Sequence, residues 1–181
     1  MKQYDEELIV RLLQDKQTKS RAFEQIVAQY SKQLYWNIRR MVLSHDDAND
    51  ILQNVFLKAW QNIDSFRADS RLSTWLYRIC LNETLTFVNR QQNNVELDSA
   101  DDYISQTLES DEYFDGNEAQ LQLQKAISSL PEKQKIVFNM KYYEEKKYEE
   151  MSEILNTSVG ALKASYHIAV EKIKAFFQEN D

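Results

Sequence analysis

The chain has 181 residues, 43% of them hydrophobic and 28% charged, with 2 Gly, 1 Pro, 1 Cys and a formal net charge of −7. So few Gly and Pro argue against a turn-rich β fold and for helices, and one cysteine excludes an internal disulfide and fits a reduced, cytoplasmic setting. No apolar run approaches the ~20 residues of a membrane span, and Met1 to Glu7 lack the apolar core of a signal peptide, so no membrane insertion is expected.

Taken in order, residues 5–14 read as a short helix with Leu8, Ile9, Leu12 and Leu13 apolar. After a polar break, helical period resumes from about Arg21 to Leu43 through Ala22, Phe23, Ile26, Val27, Tyr30, Leu34, Ile38, Met41 and Val42. Ser44 then opens a helix ending near Asn62, with Asp47 three residues on in a capping-box-like pair. Asp46 and Asp47 place negative charge where the helix dipole favours it. Its apolar face is Ala48, Ile51, Leu52, Val55, Phe56 and Ala59. The opposite face carries Asp50, Gln53, Asn54, Leu57 and Gln61, with Trp60 at its edge. A mixed amide, carboxylate and apolar face reads either as a docking surface or as a core helix with one chance exposed Leu.

Asp64 to Asp69 is a polar loop holding Phe66. A helix from about Ser70 to Arg90 follows, with Leu72, Trp75, Leu76, Ile79 and Cys80 as its core stripe. Periodicity is weak from Gln91 to Asn117, which reads as a linker. Beyond Glu118, a helical segment reaches Leu130, Pro131 starts another to about Tyr143, and two more cover about Tyr148–Leu155 and Val159–Phe177 around a turn at Asn156-Thr157-Ser158. The fold class is therefore all-α: two small helical domains, 1–91 and 118–181, joined by an acidic linker, 92–117. The charge is concentrated in that linker, with net charges of +2, −8 and −1 for the three segments in order.

The last two helices and their short turn have the form of a helix-turn-helix. Met151, Ile154 and Leu155 would pack against Leu162, Tyr166 and Ala169, leaving Lys163, Ser165 and His167, then Lys172 and Lys174, to face outward. Helix pairs of this kind also occur in purely structural bundles. Catalysis finds no support. His45 and His167 fall in different halves, Cys80 has no partner, and no glycine-rich phosphate loop, paired-His motif or nucleophile elbow occurs. The run Glu149, Glu150, Glu153 reads as a solvated face. No cofactor or metal is expected.

Asp47 through Trp60 resembles the most recognisable motif of bacterial RNA polymerase sigma factors of the extracytoplasmic-function (ECF) type, within the sigma-70 family. Phe66-Arg67, Ser73-Thr74-Trp75-Leu76-Tyr77-Arg78-Ile79 and Asn82 resemble the promoter-melting segment of that family. Leu130-Pro131-Glu132-Lys133-Gln134, Tyr148 to Ile154, and Val159-Gly160-Ala161-Leu162-Lys163 resemble its C-terminal helix-turn-helix. The resemblance covers nearly the whole chain, in order. It implies a specificity subunit that binds core RNA polymerase, directs it to promoter DNA and melts the minus-ten element, and that is typically held by an anti-sigma factor. Core docking would fall to Asp47, Asp50, Gln53, Asn54, Phe56, Leu57 and Trp60. Minus-ten contact would fall to Phe66, Arg67, Arg71, Ser73, Thr74, Trp75, Arg78, Asn82 and Arg90, with Trp75 leaning to core packing and Arg78 to the backbone. Minus-thirty-five contact would fall to Ser158, Lys163, Ser165, Tyr166, His167, Lys172 and Lys174. Ser165, Ile168 and Val170 stand where many members carry Arg, which implies modest phosphate affinity. The eight linker carboxylates, Glu96 to Asp115, would act either as an anionic mimic of nucleic acid in basic polymerase channels or as a solubilising tether. The alternative to a sigma factor is a stand-alone helix-turn-helix transcriptional regulator with a helical sensor domain; a third class is a protein-binding helical adaptor.

Overall fold

The computed structural model describes residues 5–92 and 117–179, and the acidic stretch Glu96–Asp115 lies outside the described residues. The described residues form eight α-helices: α1 (Glu6–Leu13), α2 (Lys19–Val42), α3 (His45–Asn62), α4 (Leu72–Gln92), α5 (Glu118–Ser128), α6 (Glu132–Tyr142), α7 (Tyr148–Leu155) and α8 (Val159–Glu179), with a 3-10 turn at Ile63–Ser65.

Side chains close most of these helices locally. Asp5 accepts the Leu8 N–H at 3.2 Å to start α1, and the Ser44 hydroxyl accepts the Asp47 N–H at 3.3 Å to start α3, as its sequence predicts. Asn117 caps α5 through the Gln120 N–H at 3.1 Å, so this last residue of the expected linker is already part of the C-terminal half. Glu150 reaches back to the Lys147 N–H at 3.1 Å at α7, and the Ser158 hydroxyl takes the Ala161 N–H at 3.3 Å at α8. Pro131 precedes α6, rather than forming its first turn, at no cost in hydrogen bonds because it has no N–H to satisfy. Two helices end in the left-handed region without glycine: α2 at Leu43 (φ 63°) and α7 at Asn156 (φ 49°). Asn visits that region readily; Leu43 is held there by burial and by the Arg39 guanidinium on its carbonyl.

The helices of the N-terminal half pack around Ile9, Ile26, Leu34, Ile38, Ala48, Val55, Leu72, Leu76 and Cys80, all nearly or wholly buried. Cys80 has no disulfide partner, and burial pushes its thiol up to about 12. This core does not stop at the half. It continues into Ile136, Val137 and Met140 of α6, Met151 and Ile154 of α7 and Leu162 of α8. A second, smaller core of Ala126, Ile127, Leu130, Phe138, Ala169 and Ile173 joins α5, α6 and α8. The two halves therefore share apolar surface, which periodicity within each helix did not indicate.

Candidate functional site

The first candidate surface is a groove between α2 and α3. Helical spacing on α3 buries Ala48, Ile51, Val55 and Ala59, and turns Gln53, Asn54, Leu57 and Trp60 outward, with Phe56 and Asp47 half-buried and Asp50 exposed. Leu57 is 58% exposed and Trp60 39%, high values for large apolar side chains. Trp60 does not float. Its ring meets Phe23 of α2 edge-on at 5.0 Å, and the Lys19 ammonium lies 4.9 Å from its centroid while pairing with Asp64 at 2.6 Å. Phe23 also meets Phe56 at 6.4 Å. The result is an open, mostly apolar depression of about 450 Å³ with a polar edge at Gln53 and Glu24. Phe23 reads as plain core from sequence; its place in the groove depends on the α2–α3 crossing, which a single helix pattern does not encode.

The second surface is the start of α4 and the loop before it. Arg67 and Arg71 are exposed, and the Phe66 ring lies 5.3 Å from Trp75, both half-buried. Trp75 thus packs against the N-terminal core on one side and leans on Phe66 on the other. Ala68 holds φ 56°, a left-handed conformation that costs a non-glycine residue about 1 kcal/mol or more. This turn delays α4 to Leu72, two residues after the start its sequence predicts. Arg78 is exposed and donates from Nη2 to the Glu153 carbonyl of α7 at 2.6 Å. Thr74 is only 6% exposed and borders a crevice of about 240 Å³ shared with Lys147 and Glu150. Ser73 is half-buried, and Asn82 and Arg90 are exposed further along the helix.

The third surface is α8. Lys163, His167, Lys172 and Lys174 are exposed, as the helix-turn-helix pattern predicts, and Ser165 is half-buried. Two residues expected to face DNA have other work here. The Tyr166 ring stacks 5.9 Å from Phe138 inside the helix packing, and the Ser158 hydroxyl is engaged as the α8 cap. Tyr166 lies on α8 and is half-buried, and Ser158 immediately precedes the helix and is exposed.

Sequence reasoning missed Glu144, in the α6–α7 loop. Its carboxylate is nearly buried and joins the halves: Asn37 of α2 donates to one oxygen at 2.6 Å, Tyr77 of α4 to the other at 2.6 Å, and Lys146 stands 3.4 Å away. The Lys146 ammonium also caps the Tyr77 ring at 3.8 Å, and the Arg40 guanidinium covers Tyr143 at 4.4 Å. Burial, then the Glu144 charge, pushes the Tyr77 phenol far above its ordinary value. No neighbouring residue distinguishes Glu144 from the carboxylates beside it, so no sequence signal singles it out. Among the described residues no cluster of His, Cys, Asp and Glu is arranged to hold a metal ion, and no helix is long and apolar enough to cross a membrane.

Comparison with known proteins assigns the chain to a family. Residues 26–94 match the family model for sigma-70 region 2, and residues 120–173 that for sigma-70 region 4. The ECF RNA polymerase sigma factor SigW of Bacillus subtilis is 30% identical over 174 residues, covering 91% of this chain and 93% of that protein. Among solved structures, CnrH in complex with the cytosolic domain of CnrY aligns with a TM-score of 0.68 at 22% identity over 98% of this chain and 99% of that one. The sigma factor RpoE of Bartonella quintana, in complex with the anti-sigma factor NepR, aligns with a TM-score of 0.64 at 21% identity over 86% and 96%. Two region models in the expected order, carried on two helical halves, make this chain a member of the sigma-70 family of RNA polymerase sigma factors, of the extracytoplasmic-function type.

Proposed function

We propose that the chain docks on core RNA polymerase through the α2–α3 groove, opens the minus-ten element with the 66–78 segment of α4 and its preceding loop, and meets the minus-thirty-five element with α8. The observation that carries this reading is the groove. A solvent-facing Leu57 and Trp60, backed by Phe23 and Phe56 and rimmed by Gln53 and Glu24, with Asp50 exposed one turn before Gln53, has the apolar centre and polar edge of a protein-binding surface. Melting needs apolar surface to replace lost base stacking and cations to hold the separated strand. Phe66 and Trp75, next to Arg67, Arg71 and Arg78, supply both.

In this reading residues 1–91 and 118–181 are the two working domains, the acidic 92–117 stretch connects them, and the chain performs no bond-making chemistry of its own. An anti-sigma factor is proposed as its regulator, by analogy with the Bartonella RpoE–NepR complex of similar fold.

Mixing the purified chain with core polymerase and a promoter library tests the proposal. Promoter-specific transcripts that require the chain are expected. Tight operator binding without polymerase would instead establish a stand-alone regulator, and binding to neither would establish an adaptor. Asp50→Arg combined with Gln53→Ala is expected to abolish core binding while helicity is retained; core affinity equal to wild type would remove the docking assignment.

A further inference from the structure

Helix α4 does not take its cap from the side chain of the residue before it. The residue before Leu72 is Arg71, whose side chain has donors only and cannot satisfy the free N–H groups of a first helical turn. The missing acceptor comes from 66 residues away. Glu6 of α1 accepts the Leu72 N–H on Oε1 at 2.7 Å, and its other oxygen accepts the Tyr30 hydroxyl at 3.2 Å. A carboxylate at this end of a helix also suits the helix dipole. Glu6 is held by packing as well: Ile9 and Leu13, on the same helix, are buried in the core, and Tyr30 is 6% exposed on α2.

The placement matters because of what starts at Leu72. Ser73, Thr74, Trp75 and Arg78 follow in the next two turns, and the left-handed turn at Ala68 delivers Phe66 and Arg67 just before. Glu6, Val10 and Arg11 of α1 face Phe66, Arg71 and Arg78 across an open cleft of about 1120 Å³ that Glu153 of α7 also lines. Helix α1 itself lies ahead of the residues matched to region 2.

We propose that α1 belongs to the promoter-opening apparatus, with Glu6 as a positioning residue that fixes the start of α4 and so the aim of the melting loop at single-stranded DNA. The inference rests on the reading of α4 as the minus-ten helix. Glu6 does not touch DNA; it removes the swing of the α4 first turn that the Arg67-Ala68-Asp69 turn would otherwise permit. Its effect should therefore appear when duplex is being opened, and disappear once the strands are already apart.

The test uses the full chain with core polymerase on a promoter selected by the wild-type holoenzyme, presented as duplex or with a pre-opened minus-ten bubble, and read by permanganate reactivity of unpaired thymines. For Glu6→Ala the opening rate on duplex should fall about tenfold, the scale of a lost cap, with less than a twofold change on the bubble and in core affinity. Hydrogen exchange at the Leu72 amide should quicken. Glu6→Gln keeps an acceptor oxygen and should recover to within about threefold. Tyr30→Phe keeps the buried ring, removes the hydroxyl that holds the second Glu6 oxygen and should cost about threefold on duplex alone. It carries the test should Glu6→Ala not fold. Wild-type opening by these variants, or equal losses on duplex, bubble and core binding, overturns the proposal. Arg71→Ala with Arg78→Ala separates the two ideas. If that pair leaves opening unchanged, the minus-ten reading falls and takes the role of α1 with it. If the pair impairs opening and the Glu6 and Tyr30 variants do not, only the role of α1 falls.

Discussion

The α2–α3 groove and the face of α4 are built from similar parts and left in opposite conditions. The groove is uncovered: Leu57 and Trp60 face water, and none of its lining comes from the C-terminal half. The α4 face is covered in part, although Arg67 and Arg71 stay exposed. Helix α7 takes the Arg78 guanidinium, Thr74 is buried, and Tyr77 is bound to Glu144. Under the proposed function, such a chain would meet polymerase with its docking surface open and its strand-opening surface partly engaged by its own C-terminal half.

The largest effect expected from breaking this contrast is on the open side. Trp60→Ala should weaken core binding by about 30- to 100-fold, the range of an aromatic hot spot at the centre of an interface, when measured by competition for labelled core. Thermal stability should fall only modestly, because the ring is 39% exposed already. A loss of stability matching the loss of affinity would mean that the groove is core rather than interface.

On the partly covered side, Tyr77→Phe should cost about 1–2 kcal/mol in urea unfolding, because it leaves one oxygen of a nearly buried carboxylate short of a donor. The same pair sets a pH dependence. The Tyr77 phenol is raised in the folded state, so the stability it contributes is complete below about pH 10, where the unfolded phenol ionises, and declines as pH rises beyond it. Tyr77→Phe should flatten that alkaline decline, read from unfolding midpoints across pH 8 to pH 11 as approximate end points. An unchanged profile would assign the decline to other groups.

A smaller pair of opposed effects is expected at Arg78. Its replacement by Ala removes the bond to the Glu153 carbonyl, loosening the seam by about 0.5–1 kcal/mol, and removes the cation proposed to meet a phosphate, so affinity for the pre-opened promoter should fall about threefold. The smallest effect is expected at Lys163, exposed on α8. Lys163→Ala should weaken minus-thirty-five binding about threefold and reduce the salt slope by about one.

What the residues alone disclosed follows a physical line. Elements whose cause is local were legible: the Ser44 cap, the buried stripe Ala48-Ile51-Val55-Ala59, the outward Leu57 and Trp60, and the α7–α8 pair with its lysines in water. Elements whose cause lies elsewhere in the chain were not. Ser70 looks like an ordinary helix start, yet α4 begins at Leu72, because Ala68 turns the chain and Glu6 supplies the cap from outside. Tyr166 lies on α8 and Ser158 immediately before it, and the one stacks on Phe138 while the other caps the helix. Glu144 is one of several carboxylates between Glu144 and Glu153, and only tertiary packing makes it the one enclosed between Asn37 and Tyr77.

The solitary sulfur gives this molecule a natural stopwatch. Cys80 is fully enclosed, and its thiol, pushed up to about 12, stays protonated and inert at neutral pH. A maleimide or disulfide reagent can therefore react only during excursions that part α4 from its neighbours, and labelling can never exceed one equivalent per chain. Timing that reaction for the free chain and again on polymerase would read out, without any added probe, how often the N-terminal half breathes and whether docking stills it.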